Sequence, residues 1–474
     1  MKSAACRAKL ALGAACLVAL AGCKAVGPDY HLPQKAAINL PAAQGAFLGA
    51  APAGADAKPL PPRWWHLFDA PVLDRLEEQA LAANTDLRVA AANLKRAQEA
   101  TGMAESAHEP DFTASFAGER ARLSGESFLL SEPVPVMNVG SGQIAVGYQL
   151  DLFGRIRRAV EEARASEQAV AAVQDAVKAS IAADVARSYV MACAAGEDIA
   201  LTDEAIAVEK RRLDVDERLQ AGGRLTPLEL AASRARLAQV EAVRPAHVAR
   251  QRAALFRLAY LLGKPPAEYP REVESCEEIP SASGIMPVGD GASLLARRPD
   301  VRASERELAA ATAQIGVATA AMYPDIRLGA ALGSFGKLGD FGTAPANFWN
   351  AGGMIDWAFP THGARARVRA ANAGADAALA RFDGVVLAAL RETETALSTY
   401  AQDLNRQHAL AEALHQNELA TADIERLRRA GRSPLSAHLG AEQGTISAKA
   451  AVSEGKARLA NDQVDLFLAL GGGW

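Results

Sequence analysis

Between Gln143 and Arg155 the chain reads QIAVGYQLDLFGR. Ile144, Val146, Tyr148, Leu150 and Leu152 fall on one side of a two-residue period, and Gln143, Ala145, Gly147, Gln149 and Asp151 on the other, the signature of a strand with one oily and one polar face. Past Gly154 the period changes at once to that of a long Ala-rich amphipathic helix carrying Arg157, Arg158, Glu161, Glu162 and Arg164. The oily face asks for an apolar medium and the charged helix asks for water, so the join marks a boundary between two solvents. The same join recurs near residues 349–363, where Trp349, Ala351, Gly353, Ile355, Trp357 and Phe359 alternate with Asn350, Gly352, Met354, Asp356 and Ala358. Two such joins point to a duplicated plan.

The first residues read as an export signal. Lys2, Arg7 and Lys9 form a basic start, and Leu10 to Leu20 is an apolar run too short to cross a bilayer as a mature helix. The run ends Leu20-Ala21-Gly22-Cys23, which matches the bacterial lipobox: segment 1–22 is expected to be removed and Cys23 to carry covalent lipid. Residue 24 is Lys rather than Asp, which by analogy with bacterial lipoproteins points to the outer membrane. After processing only Cys193 and Cys276 remain, without metal or redox spacing, and they read as isolated, partly buried thiols.

Of the 474 residues, 50% are hydrophobic but only 5% aromatic, because alanine supplies much of the apolar fraction and favours long, closely packed helices. A formal net charge of −4 offers no excess of Lys and Arg for a nucleic-acid surface. Residues 23–62 are rich in Pro, Ala and Gly and read as an extended arm. Trp64, Trp65, Leu67 and Phe68 follow as a packing anchor. A first repeat, 63–263, then contains a helix from Pro71 to Ala107, a hairpin over 111–153 with a loop from Leu123 to Gly140, a long helix over 155–220 and a returning helix over 227–262. Residues 264–290 read as a linker. A second repeat, 291–474, contains a helix from Val301 to Met322, a hairpin over 325–359, a long helix over 364–430 and a returning helix over 434–470. The halves keep step at a nearly constant offset: Pro110 and Pro324 are 214 apart, Phe153 and Phe359 are 206 apart, Pro227 and Pro434 are 207 apart, and Gly263 and Gly471 are 208 apart.

Each half supplies two strands, and four tilted strands cannot close a barrel. An open edge in a bilayer leaves backbone groups unpaired at several kcal/mol each, so closure needs other copies of the chain. Three copies give twelve strands, within the range of outer-membrane barrels. Trp349 and Trp357 are expected near opposite water interfaces, or packed between strands. The charged helices must project into water, and continuous with the strands they would extend the barrel as a helical tube.

The residues also carry a family resemblance. Cys23 with Val26-Gly27-Pro28-Asp29-Tyr30, Trp65 through Leu73 with Asn84 and Leu87, Leu150-Asp151-Leu152-Phe153-Gly154-Arg155, Arg298-Pro299-Asp300-Val301, Ile315-Gly316-Val317-Ala318 with Tyr323-Pro324, and Leu470-Gly471-Gly472-Gly473-Trp474 occur in order. In these the chain resembles the outer-membrane efflux proteins, TolC-like channels, and among them the lipidated NodT-type branch. The resemblance implies a mixed α and β membrane protein: a homotrimeric twelve-stranded transmembrane β-barrel continuous with a long periplasmic α-helical barrel. It implies a periplasmic adaptor and an inner-membrane pump of the resistance-nodulation-division type as partners. Pro360-Thr361-His362-Gly363 departs from the family's usual Phe, small polar residues and Gly, so the second join is expected to differ in shape.

No catalytic, metal or cofactor constellation stands out, and the expected role is a passive exit duct for small molecules, with a type I protein-secretion exit or a structural envelope lipoprotein as alternatives. Asp151 and Asp356, on the polar face at the two joins, either ring the lumen or brace the bend. The turns Ala221-Gly222-Gly223 and Ala430-Gly431-Arg432-Ser433-Pro434 are the candidate adaptor contacts. Asp214, Asp216, Arg218, Asp423, Arg428 and Arg429 are candidate gate charges. Cys23→Ser is expected to abolish incorporation of radiolabelled palmitate, and unchanged labelling would remove the lipobox assignment.

Overall fold

The computed structural model describes residues 25–56, 58, 60–126, 131–282 and 285–472; the expected signal segment, Cys23, Gly473 and Trp474 lie outside the described residues. The chain divides into two units. One comprises the chain up to Pro33, Leu94–Val170 and Ser304–Arg381, and the other Gln34–Asn93, Ala171–Ala303 and Phe382–Trp474.

The principal helices and strands, in chain order, are α1 (Pro71–Ala83), α2 (Thr85–Ser106), β1 (Asp111–Ala121), β2 (Met137–Leu150), α3 (Arg155–Ala221), α4 (Pro227–Glu241), α5 (Arg244–Leu261), α6 (Gly291–Arg297), α7 (Pro299–Ala320), β3 (Asp325–Lys337), β4 (Asn347–Asp356), α8 (His362–Arg429) and α9 (Leu435–Ala469). The arm adds short turns at Ala37–Asn39 and Pro41–Gln44.

In the first unit the four strands form one antiparallel sheet in the order β1-β2-β3-β4. Register sorts its side chains by face. Ile144 lies opposite Ala114 and Leu332, and Leu332 opposite Trp349; Phe112 pairs with Val146, and Ile326 with Ile355. This apolar face is uncovered: Phe112, Leu332 and Trp349 are 75%, 63% and 81% exposed. The opposite face carries Gln143, Gln149, Arg327, Asn350 and the facing pair Asp325 and Asp356. Within the β3–β4 connection Phe341 folds back against Phe116, ring centroids 5.5 Å apart, over Gly142, where an added Cβ would stand 2.7 Å from the ring. Trp349 sits near the start of β4, and Trp357, just past its end, donates from Nε1 to the Met322 carbonyl at 3.1 Å, so the two lie at opposite ends of the strand.

In the second unit the core gathers Trp64, Trp65, Phe68, Leu73, Leu76, Val185, Cys193, Leu255, Leu258 and Phe467. Trp64 packs against Phe467, ring centroids 4.9 Å apart and tilted by 31°, so the aromatic cluster is the expected packing anchor. Among the described residues no helix is long and apolar enough to cross a membrane.

Several boundaries differ from the sequence reading. The single helix expected from Pro71 to Ala107 breaks at buried Asn84, whose Oδ1 accepts from the Asp86 and Leu87 amides at 2.8 and 3.2 Å while its Nδ2 donates to the Leu261 carbonyl at 2.9 Å. A side-chain acceptor competing with the backbone ends one helix and starts the next. The returning helix over 227–262 breaks at Ala242–Val243 ahead of Pro245, which lacks an amide hydrogen. β2 begins at Met137, inside the expected loop, because Ala121 through Gly118 pair with Met137 through Gly140. β4 ends at Asp356 rather than Phe359.

The cysteines are also corrected. Cys193 and Cys276 form a disulfide with Cα atoms 4.7 Å apart. It ties α3 to the linker where the two backbones touch: a Cβ on Gly196 would lie 2.0 Å from the Cys276 carbonyl oxygen. Replacing both cysteines by serine opens a loop of 83 residues and is expected to lower stability by up to about 4.5 kcal/mol, measured by denaturant unfolding of the detergent-solubilised protein.

Candidate functional site

The first join shows how a strand becomes a helix in four residues. The first amides of a helix have no intrahelical acceptor. Here Asp151 Oδ1 accepts from the Ile156 amide at 2.9 Å and Oδ2 from the Arg157 amide at 3.0 Å, with the Arg157 Nε at 3.4 Å. These bonds brace the start of the helix. Asp356 does something else. It is still in β4, exposed on the polar face and facing Asp325. Asp325 in turn accepts from Gln149 at 2.8 Å and from Arg155 at 3.2 Å. Since α3 starts at Arg155 and α8 at His362, the residue matching Asp151 is Ala358, so the two aspartates do not correspond.

Both tips close alike. Gly222 and Gly223 bond back to Arg218 and Gln220 at 3.1 and 2.9 Å, and the Arg224 amide reaches the Leu219 carbonyl at 2.8 Å. Gly431 bonds to Arg428 at 2.9 Å, and the Arg432 amide to the Leu427 carbonyl at 2.8 Å. Gly223 and Gly431 sit at φ of +71° and +70°, the left-handed conformation that this helix end requires. Thr226 then starts α4 with a capping box to Glu229, whereas Pro434 starts α9 without a side-chain cap.

The candidate gate charges are engaged inside this chain. Asp214 pairs with Arg218 at 2.6 Å one turn along the same helix. Asp216 accepts from Ser233 on α4 and lies 4.0 Å from Arg236. Asp423 pairs with Arg426. Arg428 and Arg429 both converge on Glu425, at 2.6 and 2.8 Å. Their guanidiniums, Arg428 first, hold the Glu425 carboxyl well below the usual range, at about 2. His438 Nε2 lies 3.5 Å from Glu425 and 3.4 Å from Glu442, which pairs with Arg211 at 2.6 Å, so α8, α9 and α3 share one charged network. Glu425 was not singled out from the sequence, although its spacing of three and four to Arg428 and Arg429 is the helical ion-pair pattern.

Further from the tips, a cavity of about 720 Å³ is lined by Arg187, Arg298, Asp300, Glu392, Asp462 and Asp465, among others. Arg298 donates to Asp300 at 2.7 Å, to Glu392 at 2.8 Å and to the Ala469 carbonyl at 2.9 Å. Gly471, at φ +88°, lets the chain end pass over it. These contacts account for Arg298-Pro299-Asp300 and for the first glycine of the terminal run. On α9, burial, a hydrogen bond with Asp403 and the charges of Asp403 and Asp465 raise the Asp462 carboxyl to about 7.

An uncovered oily sheet face joined directly to charged helices defines a membrane channel subunit with a water-side extension. The chain matches the family described as outer membrane efflux protein over residues 76–264 and 292–472, and belongs to it. It is 30% identical to the toluene efflux pump outer membrane protein TtgC of Pseudomonas putida, covering 96% of this chain and 93% of that one. It is 28% identical to nodulation protein T of Rhizobium leguminosarum bv. trifolii, covering 80% and 79%. The structure superposes on the outer-membrane channel OprN with a TM-score of 0.85 at 31% identity, covering 95% of this chain and 99% of that one. The fold is therefore that of the TolC-like channels, and the protein is a passive outer-membrane efflux channel and not an enzyme.

Because folded Asp462 keeps its proton up to about 7 while the unfolded chain loses it near 3.8, the folded state binds the extra proton between those values. Stability is therefore expected to fall as pH rises through that window. Asp462→Asn should flatten that slope, read from thermal midpoints at about pH 4 and about pH 7, near the two ends of the window.

Proposed function

We propose that three copies of this chain close a twelve-stranded barrel and act as the outer-membrane exit of a tripartite pump that expels small molecules. The observation that carries this reading is the four-stranded sheet with its apolar face exposed and β1 and β4 at its edges. In hydrocarbon those edges must pair, and β4 of one copy against β1 of the next pairs every edge at once. The duct is passive: the driving force comes from an inner-membrane pump of the resistance-nodulation-division type, reached through a periplasmic adaptor. The adaptor meets the turns at Gly222-Gly223 and Gly431-Arg432-Ser433-Pro434, where left-handed glycines put backbone at the surface. Covalent lipid on Cys23 anchors the arm.

Efflux of small compounds is favoured over protein secretion by the name of the relative that exports toluene. The two faces of the sheet make the reading testable. Leu332→Arg puts a charge on the lipid side and should cost about 2–4 kcal/mol near the bilayer midplane, seen as loss of the trimer band from outer-membrane fractions. Asn350→Arg, on the polar face, should leave assembly intact and change single-channel conductance in planar bilayers. A monomeric mass in detergent, or equal damage from both substitutions, would defeat the closed barrel.

A further inference from the structure

The first described residues of the chain are seated on the first join. The Val26 amide donates to the Phe153 carbonyl at 3.1 Å. Gly154, at φ +76°, would place a Cβ 2.3 Å from the Ala25 Cβ. Gly27, at φ +89°, crosses α7 at Gly316, where a Cβ on Gly27 would stand 2.5 Å from the Gly316 Cα. Arg158 runs beneath, its side chain only 2% exposed. Its Nε donates to the Val26 carbonyl at 3.1 Å, and its Nη2 to the Gly27 carbonyl at 3.2 Å and to Asp29 at 2.7 Å. Its Nη1 reaches Glu161 at 2.7 Å. Tyr30 closes the segment by donating to Glu305 at 2.7 Å, with the Arg306 guanidinium 5.6 Å above its ring.

From sequence alone Arg158 counts as one more solvated helix charge. In the structure it is buried, which a guanidinium tolerates only when its donors are satisfied, and the arm supplies two carbonyls and a carboxylate. Helix initiation does not call for this. The Arg158 amide bonds to Gly154 at 2.9 Å, and the matching Arg365 amide bonds to Thr361 at the same distance. Yet Gly363 at that second helix start has nothing within 4 Å of an added Cβ. The helix forms either way, so the buried guanidinium serves the arm.

We propose that Arg158 is the positioning residue for the acylated amino terminus, clamping Val26 to Asp29 on the join so that the lipid enters the membrane where the strands end. This rests on the reading of Cys23 as the lipidated residue. Two residues of chain reach at most about 7 Å, so holding Ala25 against Gly154 confines the attachment point to that level. Released as far as Pro33, the same tether would range over about 35 Å.

The test is hydrogen exchange on the full-length protein in outer-membrane vesicles, with palmitate incorporation followed in parallel and a nitroxide on His31→Cys reporting depth. Arg158→Ala should speed exchange over residues 25–30 at least tenfold and broaden the nitroxide depth, while exchange over 160–170 and palmitate incorporation stay unchanged. Arg158→Lys should restore protection only in part, because the donors of one ammonium nitrogen cannot occupy the separate positions of Nε and Nη2 in the planar fork. If Arg158→Ala does not fold, Asp29→Ala carries the same test, since it removes the arm's carboxylate and leaves Arg158 and its Glu161 partner in place. Unchanged exchange and depth in a folded, palmitate-labelled variant overturn the clamp. Absence of palmitate from the unmutated protein overturns the reading of Cys23 alone, and the clamp then stands or falls on exchange.

Discussion

Where a sheet becomes a helix, backbone polar groups lose one set of partners before they gain the next, and the architecture turns on how they are satisfied. β2 ends at Leu150 and α3 begins at Arg155, so the ladder partners are lost before helical acceptors exist. Asp151 bridges the gap with two hydrogen bonds to the new helix. Stacking of Phe153 on Tyr323 at 4.6 Å and the arm lying over Gly154 complete the join. The second join reaches the same helix start by another route, through Trp357 and Thr361, without a carboxylate at the matching position.

From that passage follows the division of labour along the chain. Strand residues alternate, and the side that carries Ile144, Leu332 and Trp349 is left bare, which a water-soluble protein would avoid over so large a patch. The helices that follow bury alanine and present charge, and in the second unit they enclose a core anchored by Trp64, Trp65 and Phe467 and tied to the linker by Cys193 and Cys276. Several charged residues hold segments in place: Arg158 the arm, Arg298 the chain end, and Glu425 the tip arginines.

Much of this was legible because the period of the sequence changes sharply: two residues per repeat up to Leu150, helical spacing after Arg155, and the same change again near His362. Glycines at 223 and 431 marked the tips because those helix ends need a left-handed residue. The misreadings share a cause. Asn84 looked like one more helical residue until its amide group met Leu261, far along the chain. Asp356 looked like a partner of Asp151 because equal spacing cannot say which residue still belongs to a ladder. That Arg428 and Arg429 share Glu425 also emerges only in the folded chain, because the same spacing of charges occurs on helices where each is solvated alone.

Hydrophobic period and turn chemistry are local properties written every few residues, and from them the family resemblance, the duplicated plan, the strands with one oily face and the long charged helices could be read directly. That Cys193 meets Cys276, that Asp151 braces a helix start, and that Arg158 is buried under the arm became visible in the folded chain. Those facts depend on which distant segments come within bonding distance. Periodicity reports the face on which a side chain falls and leaves open what that face will touch.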